Sequence, residues 1–153
     1  VADVVIRPIS PADAGEVLTV QRAAFVSEAA IYGDPDQPAL TQTLAQIEAE
    51  LQGAKGFVAL VDDRIVGAIR ATERDDVLQI GRIAVAPDMQ GEGIGRRLLD
   101  AIEGDTECAT AELFTGSLSQ ANIDLYTACG YREAERIDQG DGTAQVFMRK
   151  PLR

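Results

Sequence analysis

The chain has 153 residues, 46% hydrophobic and 25% charged, a composition that suits one soluble globular domain over residues 1–153 with a proper core. A formal charge of −11 speaks against a nucleic-acid backbone as partner and for a cationic small molecule or a basic peptide. Histidine is absent, which removes Ser-His-Asp and Cys-His nucleophile systems, and the two cysteines alone cannot complete a four-ligand zinc site, so no metal is expected.

No apolar run approaches the roughly 20 residues of a membrane span. Val1-Ala2-Asp3 leads straight toward a strand rather than into a signal peptide, so the expected compartment is the cytoplasm. There Cys108 and Cys129 are expected as buried thiols rather than a disulfide.

Val4–Ile9 predicts a first strand, closed by Ser10-Pro11, with Ser10 or Asp13 available to cap the following helix. That helix places Val17, Val20, Ala24 and Phe25 on one side and runs to Ile31-Tyr32, where Gly33 stops it. Asp34-Pro35-Asp36-Gln37-Pro38 reads as a rigid acidic loop. A second helix is predicted from about Leu40 to Leu51, with Leu40, Leu44, Ile47 and Leu51 at spacings of three and four, and Gly53 and Gly56 bracketing its exit. Phe57–Val61 and Arg64–Thr72 form a hairpin over Asp62-Asp63, and Glu73-Arg74-Asp75-Asp76 turns into the strand Val77–Val85. Further on come a strand at Ala111–Thr115, a helix at about Gln120–Cys129 ended by Gly130, and strands Tyr131–Asp138 and Ala144–Arg149. A meander followed by β-α-β-α-β-β is an α+β or mixed α/β fold.

The richest stretch is Leu78–Ile102, where an apolar strand breaks at Pro87 and a glycine cluster, Gln90-Gly91-Glu92-Gly93-Ile94-Gly95, opens an amphipathic helix carrying Ile94, Leu98, Leu99 and Ile102. Glycines let backbone N–H groups converge at the helix mouth, where the dipole favours an anion such as phosphate. A P-loop would need Lys-Ser/Thr after the last glycine, whereas Arg96-Arg97 follow; GxGxxG fails because the third residue after Gly93 is Arg96. The pattern Gln/Arg-x-x-Gly-x-Gly/Ala fits. In this setting, after a strand ending in Val-x-Pro, it resembles the acetyl-CoA signature of the GNAT superfamily of N-acetyltransferases. Asn122-Ile123-Asp124-Leu125-Tyr126-Thr127-Ala128-Cys129-Gly130-Tyr131 is similar to that family's second motif.

The resemblance implies the GNAT fold: a mostly antiparallel twisted sheet of about seven strands with about four flanking helices. It also implies acetyl-CoA as cosubstrate and transfer of its acetyl group to a primary amine by direct attack in a ternary complex. The backbone of Gly91, Glu92, Gly93, Ile94, Gly95 and Arg96 would cradle the pyrophosphate, with Gln90 opening the motif and Arg96 and Arg97 adding charge. Ile83, Ala84 and Val85 would pair with the pantetheine arm, the Val85 N–H facing the thioester carbonyl. Tyr126 would protonate the departing thiolate, a role open to an ordinary phenol of pKa about 10. Asn122, one helical turn earlier, would contact the cofactor. The common family spacing puts an asparagine seven residues before the tyrosine. Ser119 stands there, with helix capping as its other role.

For the general base, Glu73, Asp75, Asp76 and Glu112 are candidates, beside water alone. Substrate choice falls to the first two helices and their loop, where Glu28, Tyr32, Asp34 and Asp36 would attract a polyamine, an aminoglycoside-like amine or a basic peptide N-terminus. The competing reading is a non-catalytic acyl-CoA-binding or regulatory domain on the same scaffold. Neither motif bears on whether a homodimer forms.

Overall fold

The computed structural model describes residues 3–153; Val1 and Ala2, and the expectation about the chain's start that rests on them, lie outside the described residues. The elements in order are β1 (Val5–Pro8), α1 (Ala14–Tyr32), α2 (Pro38–Thr41), α3 (Leu44–Leu51), β2 (Lys55–Val61), β3 (Arg64–Arg74), β4 (Val77–Val85), α4 (Ile94–Gly104), β5 (Thr110–Gly116), α5 (Gln120–Ala128), β6 (Arg132–Asp138) and β7 (Ala144–Pro151). The strands form one sheet in the order β1-β2-β3-β4-β5-β7-β6. All neighbours run antiparallel except β4 and β5, which are parallel. No helix among the described residues is long and apolar enough to cross a membrane.

Strand alternation sorts side chains onto two faces. On one face Ala59, Ile69, Leu78, Ala111 and Met148 pack with Ile94, Leu98, Leu99 and Ile102 of α4 and with Tyr126 of α5. On the other, Val58, Ala68 and Ala84 meet Val17 and Val20 of α1, with Ala24 and Phe25 alongside. A smaller cluster joins Ala14 and Leu18 of α1 to Ile47 and Leu51 of α3. The 3.6-residue stripe of α4, buried at all four apolar positions, fixes this helix against the sheet and so fixes where its N-terminus sits.

Three local expectations are corrected. The helix expected over Leu40–Leu51 is two pieces, because Thr43 starts afresh: its Oγ1 accepts from the Gln46 N–H (3.2 Å) while its own N–H donates to Gln46 Oε1 (2.9 Å). This capping box makes five α-helices among the described residues in place of about four, and Leu44 stands exposed. Gly56 lies inside β2, paired with Arg70, rather than in the exit from α3. β3 continues through Arg74, so the turn into β4 is the two-residue pair Asp75-Asp76, both with positive φ. The strand Val77–Val85 has the expected bounds.

Asp13 anchors the start of α1 without capping it. Its carboxylate accepts both Arg7 guanidinium N–H groups (2.9 Å each) and the Ser10 N–H (2.8 Å). The Arg7 hydrogen bonds, outweighing burial, hold its pKa below the usual carboxylate range. Asp13→Asn is expected to cost about 1–2 kcal/mol at pH 7, since three charge-assisted bonds weaken while the Arg7 end stays wet. Because the folded pKa is depressed, this contribution is complete above the unfolded value of about 3.9 and is lost as pH falls through the folded value. Thermal melts of wild type and variant should therefore converge on acidification below about pH 4.

Candidate active site

The sheet opens along one seam. β4 and β5 pair only at Val77↔Thr110, Leu78↔Ala111 and Gln79↔Glu112, yet β4 runs on to Val85 and β5 to Gly116. Beyond Gln79 the outer edge of β4 therefore has no strand partner among the described residues, leaving backbone groups open to an extended ligand. The Ala86 N–H donates inward to the Val66 carbonyl (2.8 Å), so one residue back the Val85 N–H turns to the unpaired edge. Gln90 folds over that corner, its Nε2 donating to the Val85 carbonyl at 3.3 Å.

The glycine loop follows. Gly91 and Gly93 take φ of +83° and +79°, with nothing within 4 Å of where a Cβ would stand, and Gly93 is the N-cap of α4. Only glycine adopts this turn without strain. Among the described residues, no backbone N–H from Gly91 to Arg96 donates a hydrogen bond within the protein. Six open amides at the positive end of an 11-residue helix suit an anionic group such as a pyrophosphate. Gly95 plays a packing part, since a Cβ there would stand 3.3 Å from Leu125 of α5. Arg96 is exposed, whereas Arg97 donates to the Val4 carbonyl (3.0 Å), tying α4 to the residue that precedes β1.

A cleft of about 420 Å³ occupies the opened seam. One wall is β4 from Ile80 to Ile83, the other β5 and the start of α5, with the C-terminal half of α1 and the β6–β7 turn closing the ends. A chain of polar groups crosses it. Ser119 donates its single hydroxyl proton to Glu28 Oε2 (2.6 Å), so the 2.7 Å contact with Tyr32 is a Tyr32 O–H donating to Ser119 Oγ. The Leu118 N–H in turn donates to the Tyr32 oxygen (3.0 Å). Asn122 Nδ2 donates to Glu28 Oε1 (3.1 Å) and Thr115 Oγ1 (3.3 Å). Gly116 makes room for this arrangement: a Cβ there would stand 2.0 Å from the Tyr32 hydroxyl.

Tyr126 lies beneath, 5% exposed, on the cleft wall. Its hydroxyl makes no hydrogen bond with the described residues, yet is not sealed from solvent. Burial above all, then the Glu28 charge and Cys129, push its pKa above the ordinary phenol value, so the group stays neutral across the physiological range.

Tyr126 and Asn122 line the same cleft as Ile83, and the loop Gln90–Arg96 lies at the end of β4. Ser119 does not cap α5; its hydroxyl is spent on Glu28 and Tyr32. Among the carboxylates considered as bases, Glu73 accepts from Thr106 and lies 4.0 Å from Lys55, and Asp76 accepts the Ala109 N–H at 3.0 Å. Asp75 sits beside Arg74 in the exposed turn, and Glu112 is bound by Arg149 at 2.6 Å. None of the four lines the cleft. Glu28 does. Of the acidic loop, Asp34 lines it while accepting the Asp36 N–H (3.0 Å), and Asp36 does not. Sequence reading passed over Arg82, whose visible signal was a lone charge inside the apolar strand Ile80–Val85. Cys108 and Cys129 are free thiols, the first buried and the second half-buried.

The model of the family described as "Acetyltransferase (GNAT) domain" matches residues 28–152, and the chain belongs to that family. It is 30% identical to the UPF0157 protein YqkA of Bacillus subtilis over 92% of its own length but only 41% of that protein's. It is 28% identical to the aminoglycoside N(6')-acetyltransferase type 1 of Stenotrophomonas maltophilia, covering 96% of this chain and 93% of that one. In fold it is similar to the PaiA N-acetyltransferase of Thermoplasma acidophilum, solved in complex with coenzyme A. There the TM-score is 0.79 at 16% identity, over 97% of this chain and 99% of the other.

Proposed function

We propose that the chain is an acetyl-CoA-dependent N-acetyltransferase acting on a primary amine of a small molecule or peptide, by direct attack in a ternary complex. The observation that carries this reading is the open β4 edge meeting, in one cleft, a neutral unpartnered phenol and a hydrogen-bonded carboxylate. The open amides of Gly91–Arg96 and the uncrowded positive-φ glycines fit a pyrophosphate, and the strand edge of Ile83, Ala84 and Val85 fits an extended arm. Acetyl-CoA supplies an activated thioester. The S. maltophilia relative, by name an aminoglycoside acetyltransferase, supports an amine acceptor.

In this reading the Val85 N–H polarises the thioester carbonyl, and Tyr126 hands its proton to the sulfur as the C–S bond breaks. A phenol raised by burial remains a competent donor because the same dry surroundings raise the thiol as well; the difference between the two governs the transfer. Glu28, fixed by Ser119 and Asn122, receives the proton that the amine nitrogen loses as it forms the amide bond. Asn122 thereby serves the carboxylate as a positioning residue, with Oδ1 left for the cosubstrate.

Amine-dependent release of free thiol from acetyl-CoA tests this reading. Turnover across a panel of primary amines is expected, and Glu28→Gln should lower kcat roughly 10-fold at pH 7, with a smaller loss at pH 9 where more amine is already neutral. Acetyl-CoA binding with no thiol release from any amine would instead leave a binding domain.

A further inference from the structure

Among the described residues the cleft is lined by one cation, Arg82, and no carboxylate answers it. Arg82 stands on the β4 wall, opposite Arg70 in the β3–β4 register. Arg70 has its counter-charge: Glu50 lies 2.7 Å from its Nη2, and its Nη1 donates to Gln21 (3.1 Å), although its Nε, like that of Arg82, is buried without an acceptor. Arg82 has no carboxylate within 4 Å among the described residues. Its one hydrogen bond is local, from Nη1 to the adjacent Gly81 carbonyl (3.2 Å), while Nη2 is uncommitted and Nε is buried without an acceptor.

The acids around the cleft are in the opposite condition. Glu28 accepts from Ser119 and Asn122, Asp34 from the Asp36 N–H, and Asp141 from the Thr143 N–H and hydroxyl. None of them lies within 4 Å of Arg82, and its partner across the β3–β4 ladder, Arg70, is itself a cation whose pKa Arg82 helps to lower. A guanidinium held beside a like charge, with donors idle, is complementary to an anion arriving from outside, and its planar fork matches a carboxylate.

Resting on the acetyltransferase reading, we propose that the acceptor is an amine that also carries a carboxylate, the carboxylate being received by Arg82. Glu28 is tied to the β5–α5 wall and Arg82 stands on the β4 wall, so an acceptor lying across the cleft presents its amine to the first and its carboxylate to the second. The negative charge of the whole chain draws the ammonium end; Arg82 supplies the local exception that orients the molecule. This narrows the acceptor away from polyamines and aminoglycoside-like amines, which carry nothing for Arg82.

Matched pairs test the proposal: 6-aminohexanoate against hexylamine, leucine against leucinamide, and phenylalanine against phenylalaninamide. Each is titrated into the CoA-loaded protein and assayed for thiol release from acetyl-CoA. In at least one pair the acid is expected to bind and turn over at least 10-fold better than its neutral mate, through KM rather than kcat. Arg82→Gln should erase that ratio, with acetyl-CoA affinity and turnover of the neutral mate unchanged within about 2-fold, and Arg82→Lys should restore part of it. No acid bettering its mate in any pair would overturn the proposal. So would an Arg82→Gln variant that loses acetyl-CoA affinity but keeps the acid preference. Should the variant misfold, the wild-type ratio decides alone. Failure of wild type to bind acetyl-CoA would instead sink the acetyltransferase reading beneath it.

Discussion

Gly93→Glu is expected to weaken acetyl-CoA binding roughly 100-fold or more, equivalent to about 2.7 kcal/mol. Gly93 holds a φ of +79° at the N-cap of α4, and a side chain there projects into empty space. The variant should therefore fold, bearing only the left-handed strain of about 1 kcal/mol that any Cβ incurs. The new carboxylate would occupy the space faced by the open amides of Gly91–Arg96 and repel a second anion. Gly93→Ala separates the two effects. It carries the same strain, so the two melting temperatures should fall together, while calorimetric titration should show near-normal binding for alanine alone. Equal binding by both variants would mean that the loop is only a strand-to-helix turn.

Tyr126→Phe is expected to lower kcat roughly 100-fold, with acetyl-CoA affinity unchanged within about 3-fold. The phenol has no hydrogen-bond partner among the described residues, so its removal orphans no buried group and should leave the melting temperature nearly unmoved. That separation of activity from stability distinguishes a proton donor from a packed core tyrosine. Tyr126 also meets Tyr131 edge-on, with ring centroids 6.3 Å apart, a contact the phenylalanine keeps. Because burial raises its pKa, wild-type activity should show no alkaline fall from this group below about pH 10. Steady-state kinetics of both proteins from pH 6 to 10 checks both points. Undiminished kcat in the variant would remove Tyr126 from the chemistry.

What the sequence made legible is what local pattern controls. β4, the glycine loop and α4 are contiguous, and β-branched residues, a proline, positive-φ glycines and a 3.6-residue stripe each point to one conformation. The meander was equally plain, because Asp-Asp pairs between apolar runs admit little but tight hairpins. The contents of the cleft were less so. Glu28 and Ser119 are 91 residues apart, and only the docking of α1 against the sheet brings them within 2.6 Å. A serine at an N-cap position caps its own helix or reaches outward, and nothing local decides which. Glu73 and Asp76 looked suitable as bases by their place next to β4; Thr106, Lys55 and the Ala109 amide, which engage them, come from distant parts of the chain. Arg82 was in plain view as a charge in an apolar strand, but its lack of a carboxylate partner among the described residues is a fact of the fold.

The most direct test of the account is calorimetric titration of the wild-type protein with acetyl-CoA, with ATP and NAD as comparisons. Micromolar binding of acetyl-CoA at one site per chain is expected, with neither comparison competing. Folded protein that binds no acetyl-CoA, or that binds ATP or NAD in its place, would contradict it.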